Sequence, residues 1–287
     1  MSAIGSVGER LGYGAHDRVV IVNCDDLGLS HSTNVGVYDA LRRGVATSAS
    51  LMVPCPWSRH AASDYRGEDV GVHLTLNAEW ERYRWGPVTR SPSLLDGDGG
   101  FPRTIEDLWE HADLDEVRRE CHAQIERAIL WGFDVTHLDS HMGALQLRAE
   151  FFDAYLDLAV EFALPLRMAP AAAERLVGFP FRTLAAEEGV VFPDHFVYVN
   201  GVGSRRAIER VLVDLRPGVT EIYVHPATDS AELRSITGDW PARVDDHALV
   251  TDDVAMRAML DRAGVTRIGW RPLRDLMRSE GLIRAAG

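Results

Sequence analysis

The chain has 287 residues, a formal net charge of −13 and 46% hydrophobic residues. Its length suits one large α/β domain or two small ones with a proper core. The acidic balance argues against a nucleic-acid partner, because no basic patch stands out to neutralise phosphates, and no apolar run is long enough to span a bilayer.

The N-terminal residues 1–17 are glycine-rich and lack the basic start and apolar core of a signal peptide. We expect a flexible lead-in there, a single catalytic domain over residues 18–287, and a cytoplasmic location. The cysteines Cys24, Cys55 and Cys121 are scattered along the chain, which argues against a disulfide framework or a zinc ribbon.

Every basic residue is an arginine, and no lysine occurs anywhere in the sequence. This composition excludes a P-loop with its phosphate-binding lysine, a Schiff-base enzyme and a standard protein kinase. The nucleophile-elbow motif G-x-S-x-G is also absent.

Short apolar runs alternate with helical patterns. The predicted strands are Val19–Asn23, Ala46–Val53, Val70–Leu76, Val135–Leu138, Pro165–Met168, His195–Val199, Glu221–Val224 and Arg267–Gly269. The helix-like stretches are Asn34–Arg43, Asp115–Trp131, Glu150–Phe162, Arg205–Asp214 and Asp252–Ala263. This alternation implies parallel strands with right-handed crossovers, and seven or eight strands favour a distorted (β/α) barrel over an open sheet.

One long segment, residues 77–103, breaks this alternation and is rich in Gly, Pro, Trp and charge. It is too long for an ordinary connection between elements. Long ordered loops in such domains are usually lids or binding loops, so we expect this loop to contribute to a site.

The first predicted strand ends in two adjacent carboxylates, Asp25 and Asp26. Aspartate is common in turns and at helix N-caps, and Ser30, Ser32 or Thr33 could begin the next helix. Two side-by-side carboxylates after a buried strand are as typical of a metal site or an acid/base pair as they are of a plain turn. This motif alone leaves the alternatives open.

Other strand ends carry similar chemistry. His73 lies in an apolar strand, His137, Asp139 and His141 lie in "THLDSH", and His225 follows "EIYV". Each of these, taken singly, has an ordinary structural explanation. The C-terminal ends of parallel barrel strands meet on one face, so together they favour a convergent metal site.

Imidazole and carboxylate ligands suit Zn²⁺ and related divalent ions, and a catalytic site needs about three protein ligands plus an open position. Such an ion lowers the pKa of water and polarises a carbonyl. A second carboxylate near the ion can take the proton of the water. One aspartate of the pair is therefore predicted to bind metal and the other to act as the base.

The segments "VNCDDLGLS", "GVHLTL", "THLDSH" and "VHPA", in this order, resemble the YdjC-like carbohydrate deacetylases, which include chitooligosaccharide and hopanoid-pathway deacetylases. The resemblance implies a distorted barrel and metal-dependent removal of an acetyl group from an N-acetylated sugar. It assigns one divalent ion, Zn²⁺ or Mg²⁺, to Asp26, His73 and His141. Asp25 would be the general base, and His225 would protonate the leaving amine or steady the tetrahedral intermediate.

The same resemblance gives His137 and Asp139 the role of orienting the metal ligands. Arg167, at the end of the fifth predicted strand, would contact substrate or Asp25, and a solvent-facing arginine is the alternative. The long loop carries aromatic residues that would either stack on sugar rings or fasten the loop: Trp80, Tyr83 and Trp85.

The sequence departs from the family after His141. Relatives usually continue with further histidines, whereas this chain has Met142, Gly143 and uncharged neighbours, so substrate contacts near this loop should differ. Two other functions stay open: hydrolysis of a different acyl or phosphoryl substrate, and sugar binding without turnover. A mere metal binder needs neither Asp25 nor His225. The expected partner is a small N-acetylated sugar, with no nucleic acid or membrane, and a homodimer is the default assembly.

Overall fold

A parallel β-sheet forms the centre of the computed structural model, which describes residues 5–198 and 204–286. Its strands are β1 Arg18–Leu27, β2 Ser48–Leu51, β3 Val70–Leu74, β4 Val135–Ser140, β5 His195–Val197, β6 Gly218–Val224 and β7 Thr266–Arg267. The order across the sheet is β4-β3-β2-β1-β6-β5, and β7 pairs with β1. The predicted α/β class with parallel strands is confirmed.

Helices connect these strands. They are α1 Val7–Arg10, α2 His31–Arg43, α3 Ser58–Asp64, α4 Ile105–His111, α5 Leu114–Leu130, α6 Ala149–Phe162, α7 Glu174–Val177, α8 Phe181–Glu187, α9 Ser204–Val213, α10 Ala231–Ile236, α11 Trp240–Thr251, α12 Val254–Arg262 and α13 Arg271–Ala286. Short 3₁₀ turns lie at Pro92–Leu94, His141–Gly143 and Ala171–Ala173. Within the described residues, no helix combines the length and apolarity needed to cross a membrane.

Strand β1 is the central strand and is buried along nine of its ten residues. One edge pairs with β6 from Arg18 to Cys24. The other edge pairs first with β7, at Val19 and Val20, and then with β2 from Asn23 onward. A strand covered on both edges and both faces needs apolar residues throughout, which explains its continuous apolar run.

The sheet is strongly curled. The guanidinium of Arg167 lies 3.0 Å from the Asp139 carboxylate on β4 and 2.8 Å from the Glu221 carboxylate on β6. Four strand spacings separate β4 from β6 in the sheet order, which would put them about 19 Å apart in a flat sheet. One arginine can reach both only because the sheet bends around it.

The curl produces a half-barrel. The predicted fifth strand, Pro165–Met168, contributes only a bridge between Leu166 and Leu138. In the sheet order formed by the described residues, β4 and β5 remain at the two edges. A curled parallel sheet is thus confirmed, while closure into a complete barrel of seven or eight strands stays a prediction.

The segment before β1 contacts the sheet. The backbone N–H of Val7 donates to the Asp194 carboxylate at 2.9 Å, and the same carboxylate accepts from Val219 N at 2.8 Å. The described part of the lead-in therefore includes a short helix fastened beside β6. The flexibility expected for residues 1–17 stays a prediction, and Val199, the last residue of one predicted strand, lies outside the described residues.

The long loop, residues 77–103, is held by polar contacts. The Trp85 indole N–H donates to Asn77 O at 2.9 Å, and the Tyr83 hydroxyl donates to Leu29 O at 2.7 Å. The buried Glu120 carboxylate on α5 accepts from the backbone N–H groups of Val88 and Thr89, at 3.0 and 2.9 Å. These anchors fix the loop beside the C-terminal ends of the strands.

Candidate metal centre

Three donor atoms from three strand ends converge to form the candidate metal centre. Asp26 Oδ1 lies 3.5 Å from His73 Nε2 and 3.7 Å from His141 Nδ1, and the two ring nitrogens are 3.2 Å apart. Ligands about 2.1 Å from a tetrahedral ion stand roughly 3.4 Å from one another. The three buried side chains therefore match the spacing of a divalent ion's ligands.

Each histidine of this centre has a carboxylate at its other nitrogen. His73 Nδ1 lies 2.7 Å from Asp139 Oδ1, and His141 Nε2 lies 3.0 Å from Glu79 Oε2. If those nitrogens donate, the lone pairs of His73 Nε2 and His141 Nδ1 face Asp26 Oδ1. Asp26 Oδ1 is buried and has no hydrogen-bond partner among the described residues. In that protonation state the three atoms would be acceptors facing one another, an arrangement that suits a cation in place of a proton.

The backbone places Asp26 in an uncommon conformation. Its φ is 68°, in the left-handed region that non-glycine residues adopt rarely and at a cost. Its other oxygen, Oδ2, accepts from Arg243 Nη1 at 2.8 Å. Burial would raise the pKa of Asp26, but the charges of Arg243 and the nearby histidines hold this pKa well below its usual range.

His73 shows how strongly the site attracts positive charge. Burial alone would lower the pKa of His73, but the Asp139 carboxylate, with Asp25 and Asp26, raises this pKa to about 9. Among the described residues, Arg167 and Arg243 are the guanidinium groups that line this site. They face a larger number of carboxylates around the centre and Arg167: Asp25, Asp26, Glu79, Asp139 and Glu221. This buried excess of negative charge fits a divalent cation.

Asp25 lies beside the centre and forms a two-pronged ion pair with Arg167. Arg167 Nη1 donates to Asp25 Oδ2 and Nη2 to Asp25 Oδ1, both at 2.7 Å, while Asn23 Nδ2 donates to Oδ1 at 2.8 Å. The expected contact between Arg167 and Asp25 is thus present. The solvent-facing alternative for Arg167 is wrong, because only 4% of the residue is exposed.

Glu221 supports Arg167 from the opposite side, since its Oε1 accepts from Arg167 Nε at 2.8 Å. Burial raises the pKa of Glu221 to about 7, although Arg167 opposes this shift. Burial would lower the pKa of Arg167, but Asp139, Asp25 and Glu221 together raise it well above its usual value. The guanidinium is therefore the charged centre of a buried network.

A cavity of about 350 Å³ lies over the centre and reaches Asp25, Asp26, His73, His141 and His225. The side chain of His225 packs edge-on against Tyr223, and its backbone N–H donates to Asp246 Oδ2 at 2.9 Å. Burial raises the pKa of Asp246. The structure thus brings the predicted base, ligands and acid to a single cavity.

Aromatic side chains form one wall of this cavity, which we name the aromatic wall: Phe196 on β5, Tyr198 directly after β5, and Tyr223 on β6. Phe196 and Tyr223 are stacked, with centroids 5.5 Å apart and planes 10° apart. Tyr198 meets Phe196 edge-on at 5.1 Å and is 46% exposed. No sequence pattern marked these residues.

The aromatic residues predicted in the long loop take other places. Trp85 is 4% exposed, and its indole is hydrogen-bonded to the loop backbone. Trp80 packs beside Tyr83 and Trp85 and under the Arg243 guanidinium, 5.4 Å from its ring centre. Neither indole is among the described residues that line the cavity. These contacts match the loop-fastening alternative.

His137 also lies apart from the candidate ligands. Its ring stacks on Trp270 with centroids 4.5 Å apart, and its Nδ1 lies 3.1 Å from Thr136 Oγ1. None of its hydrogen bonds among the described residues reaches Asp26, His73 or His141. Asp139, by contrast, contacts His73 directly, so of the two residues expected to orient ligands only Asp139 is placed to do so.

Three described residues of the site were not identified from the sequence. Glu79 lies in the long loop, Arg243 on α11, and Glu221 on β6 four residues before His225. The long loop was expected to reach a site, but no spacing distinguished Glu79 from its charged neighbours. Arg243 and Glu221 carried no local signal, because their partners lie far away in sequence.

Comparison with known proteins agrees with this geometry. The profile of the family described as YdjC-like protein matches residues 19–262. A carbohydrate deacetylase of Thermus thermophilus is 37% identical over 276 residues, covering 94% of this chain and 98% of the relative. Another from Geobacillus stearothermophilus is 34% identical over 259 residues, covering 88% and 97%.

A solved structure has the same fold. An Enterococcus faecalis protein named for cellobiose-phosphate cleavage superposes with a TM-score of 0.79 at 25% identity, covering 90% of this chain and 99% of that one. The resemblance found in the sequence motifs is therefore confirmed over most of the chain. This protein belongs to the YdjC-like protein family.

Proposed function

We propose that this protein is a metal-dependent deacetylase that hydrolyses the acetamide of an N-acetylated sugar to acetate and a free amine. The observation that carries the proposal is the triangle formed by Asp26 Oδ1, His73 Nε2 and His141 Nδ1 beside the paired carboxylate Asp25. The relatives named carbohydrate deacetylase support the choice of substrate. We assign this activity to one catalytic domain over residues 18–287.

Asp26, His73 and His141 would hold one divalent ion. Two imidazoles and one carboxylate favour Zn²⁺ or a similar transition ion over Mg²⁺, which prefers oxygen ligands. When bound there, such an ion acidifies water and polarises an acetamide carbonyl. Asp139 and Glu79 would keep the two rings in the tautomers that leave His73 Nε2 and His141 Nδ1 free to bind.

Asp25 would serve as the general base that takes a proton from the attacking water. Its Oδ1 accepts two hydrogen bonds, from Asn23 and Arg167, whereas Oδ2 accepts one, from Arg167. A carboxylate oxygen has two acceptor sites, so Oδ2 retains one for the proton. Arg167 orients this carboxylate by donating to both of its oxygens.

His225 would act on the leaving side of the reaction. It lies at the cavity just after β6, the strand that pairs with the one bearing the base, and its backbone is held by Asp246. In the protonated state its imidazole would transfer a proton to the sugar nitrogen as the carbon–nitrogen bond breaks. Asp25 and His225 would thus be the two ends of one proton-transfer sequence.

The aromatic wall, rather than the long-loop tryptophans, would bind the sugar ring. Tyr198 presents the largest exposed aromatic surface there. Both guanidinium groups that line the cavity are already engaged, Arg167 by Asp25 and Glu221, and Arg243 by Asp26. This charge pairing favours a neutral acetamide over the alternative of a phosphoryl substrate.

The test is acetate release from a panel of N-acetylated mono- and disaccharides, with and without chelator and with added Zn²⁺, Mg²⁺ or Co²⁺. We expect release that chelation abolishes and metal restores. The D25N variant should bind metal and sugar but lose turnover, whereas D98N, at an exposed loop position, should match the wild type. Full activity of D25N would refute the base, and silence of the wild type with metal bound would favour sugar binding without turnover.

A further inference from the structure

Arg243 is the residue of the site with the most unexpected position. It comes from α11, 217 residues after Asp26, and its side chain is only 6% exposed. Nη1 donates to Asp26 Oδ2 at 2.8 Å, and Nε lies 3.2 Å from both carboxylate oxygens of Asp239. The guanidinium also covers the Trp80 ring at 5.4 Å. Three groups therefore hold it in place.

This arrangement gives the two carboxylate oxygens of Asp26 different surroundings. Oδ2 is occupied by Arg243, while Oδ1 faces the two histidine nitrogens without a hydrogen-bond partner among the described residues. A carboxylate ligand can bind an ion through one oxygen or through both. The strained backbone of Asp26, with φ 68°, sets the direction of its side chain further. With Oδ2 tied to Arg243, only Oδ1 is available.

We propose that Arg243 is a positioning residue that restricts Asp26 to one-oxygen binding and so preserves an open coordination position on the ion. This inference rests on the proposed function, because a hydrolytic metal site must leave room for water and the substrate carbonyl. A second oxygen from Asp26 would occupy that room. The fixed positive charge of Arg243 also opposes a divalent cation. Metal affinity is therefore lower than it would be without Arg243, while a coordination position is left for water and the substrate carbonyl.

The proposed role of Arg243 predicts a change in metal binding that a purely structural role does not predict. If Arg243 only ordered Asp26, its removal would weaken metal binding, and if it only opposed the cation by its charge, its removal would strengthen binding without changing the number of ligand oxygens. If it blocks the second oxygen, its removal should strengthen binding, add a ligand oxygen and lower turnover. R243M removes both the charge and the hydrogen bond, whereas R243K retains the charge and a donor.

The experiment compares wild type, R243M and R243K as full-length proteins loaded with Co²⁺. The visible absorption of Co²⁺ reports its coordination number, and competition with a chelator gives its Kd. We expect R243M to bind Co²⁺ about tenfold more tightly, a gain of about 1.4 kcal/mol, with weaker visible bands from an added ligand oxygen, and to lose turnover. R243K should keep the wild-type spectrum.

Weaker binding by R243M, or a spectrum identical to that of the wild type, would overturn the inference. Should R243M fail to fold, R243A removes the same charge and the same hydrogen bond with a smaller side chain and should shift affinity and spectrum in the same direction. An R243A variant with the affinity and spectrum of the wild type would also overturn the inference.

These outcomes separate the two proposals. If the wild type binds no Co²⁺, the metal centre of the proposed function fails, and this inference fails with it. If the wild type binds Co²⁺ and releases acetate while R243M keeps the wild-type spectrum and affinity, only the role of Arg243 fails.

Discussion

Glu79 Oε2 lies 3.0 Å from His141 Nε2, so a carboxylate from the long loop contacts a histidine delivered by the end of β4. The two residues are 62 positions apart in sequence. Burial would raise the pKa of Glu79, but His141 lowers it, which keeps this carboxylate ionised beside the ring. The loop that closes over the sheet thereby takes part in organising the candidate metal centre.

Removing this contact should weaken metal binding. We expect E79A to lower the affinity for Zn²⁺ by about 10- to 100-fold, because the carboxylate orients His141 and increases its basicity. Competition with a chelator of known affinity measures the change. E81A, in the same loop but exposed, removes the same charge without touching the site and should bind Zn²⁺ as the wild type does. Equal affinities of the two variants would contradict the role of Glu79.

Arg167 should be essential for stability as well as activity. R167M leaves the buried carboxylates Asp25, Asp139 and Glu221 without their shared cation. Removing one partner of a buried ion pair costs about 3–5 kcal/mol, so the free energy of unfolding should fall by that amount. Urea denaturation measures it.

The matched control for this substitution is R175M on α7, where the arginine is exposed. We expect its unfolding free energy to lie within about 0.5 kcal/mol of the wild type. R167K restores the charge but not the two-pronged contact with Asp25, and should recover more stability than turnover. Wild-type stability of R167M would show that the network does not depend on this cation.

The aromatic wall should govern substrate affinity. Y198A removes the most exposed ring of the wall, so we expect KM to rise roughly 3- to 10-fold, with a smaller change in kcat. W85F should leave KM unchanged and lower the free energy of unfolding by about 1 kcal/mol, because it loses the hydrogen bond to Asn77 O. Steady-state kinetics of acetate release provide the comparison. A raised KM in W85F together with an unchanged KM in Y198A would show that the long loop, rather than the aromatic wall, binds the sugar.

His137 should make stability depend on pH. Burial lowers the pKa of His137 to about 3, whereas a histidine in the unfolded chain has a pKa of about 6.5. Between these values the unfolded state binds a proton that the folded state does not. His137 therefore stabilises the fold less as pH falls, by about 1.4 kcal/mol per pH unit below about 6.5.

The H137N variant tests this linkage through the slope of unfolding free energy against pH. The free energy of unfolding, measured between pH 6.5 and 5, should fall about 2 kcal/mol less in the variant than in the wild type. A uniform loss of stability from the missing stack on Trp270 does not affect this difference in slope. Parallel pH dependences would mean that His137 binds its proton in the folded state as well.

The sequence by itself determined the sheet and the chemistry at its edge. The apolar run of β1 can be satisfied only by burial on both faces, and the alternation of elements makes the strands parallel. Parallel strands end on the same side, so Asp25, Asp26, His73 and His141 were brought together by topology alone. These conclusions needed only local patterns and the direction of the chain.

The sequence did not determine how far along its strand each polar side chain lies from the candidate metal centre. His137 and Asp139 share a face of β4, since side chains two residues apart point the same way. In the structure Asp139 pairs with His73, while His137 lies one layer lower, against Gly71 and under Trp270. The register between β3 and β4 decides this, and no pattern within either strand reveals it.

Only the tertiary structure decided which distant residues complete the site. Glu79, Glu221 and Arg243 reach their partners across the curl of the sheet, and their ion pairs depend on distances that local sequence does not encode. The aromatic wall arises in the same way, from the pairing of β5 with β6. Strand chemistry is a local property, whereas the charge balance around Asp26 is a property of how the whole chain packs.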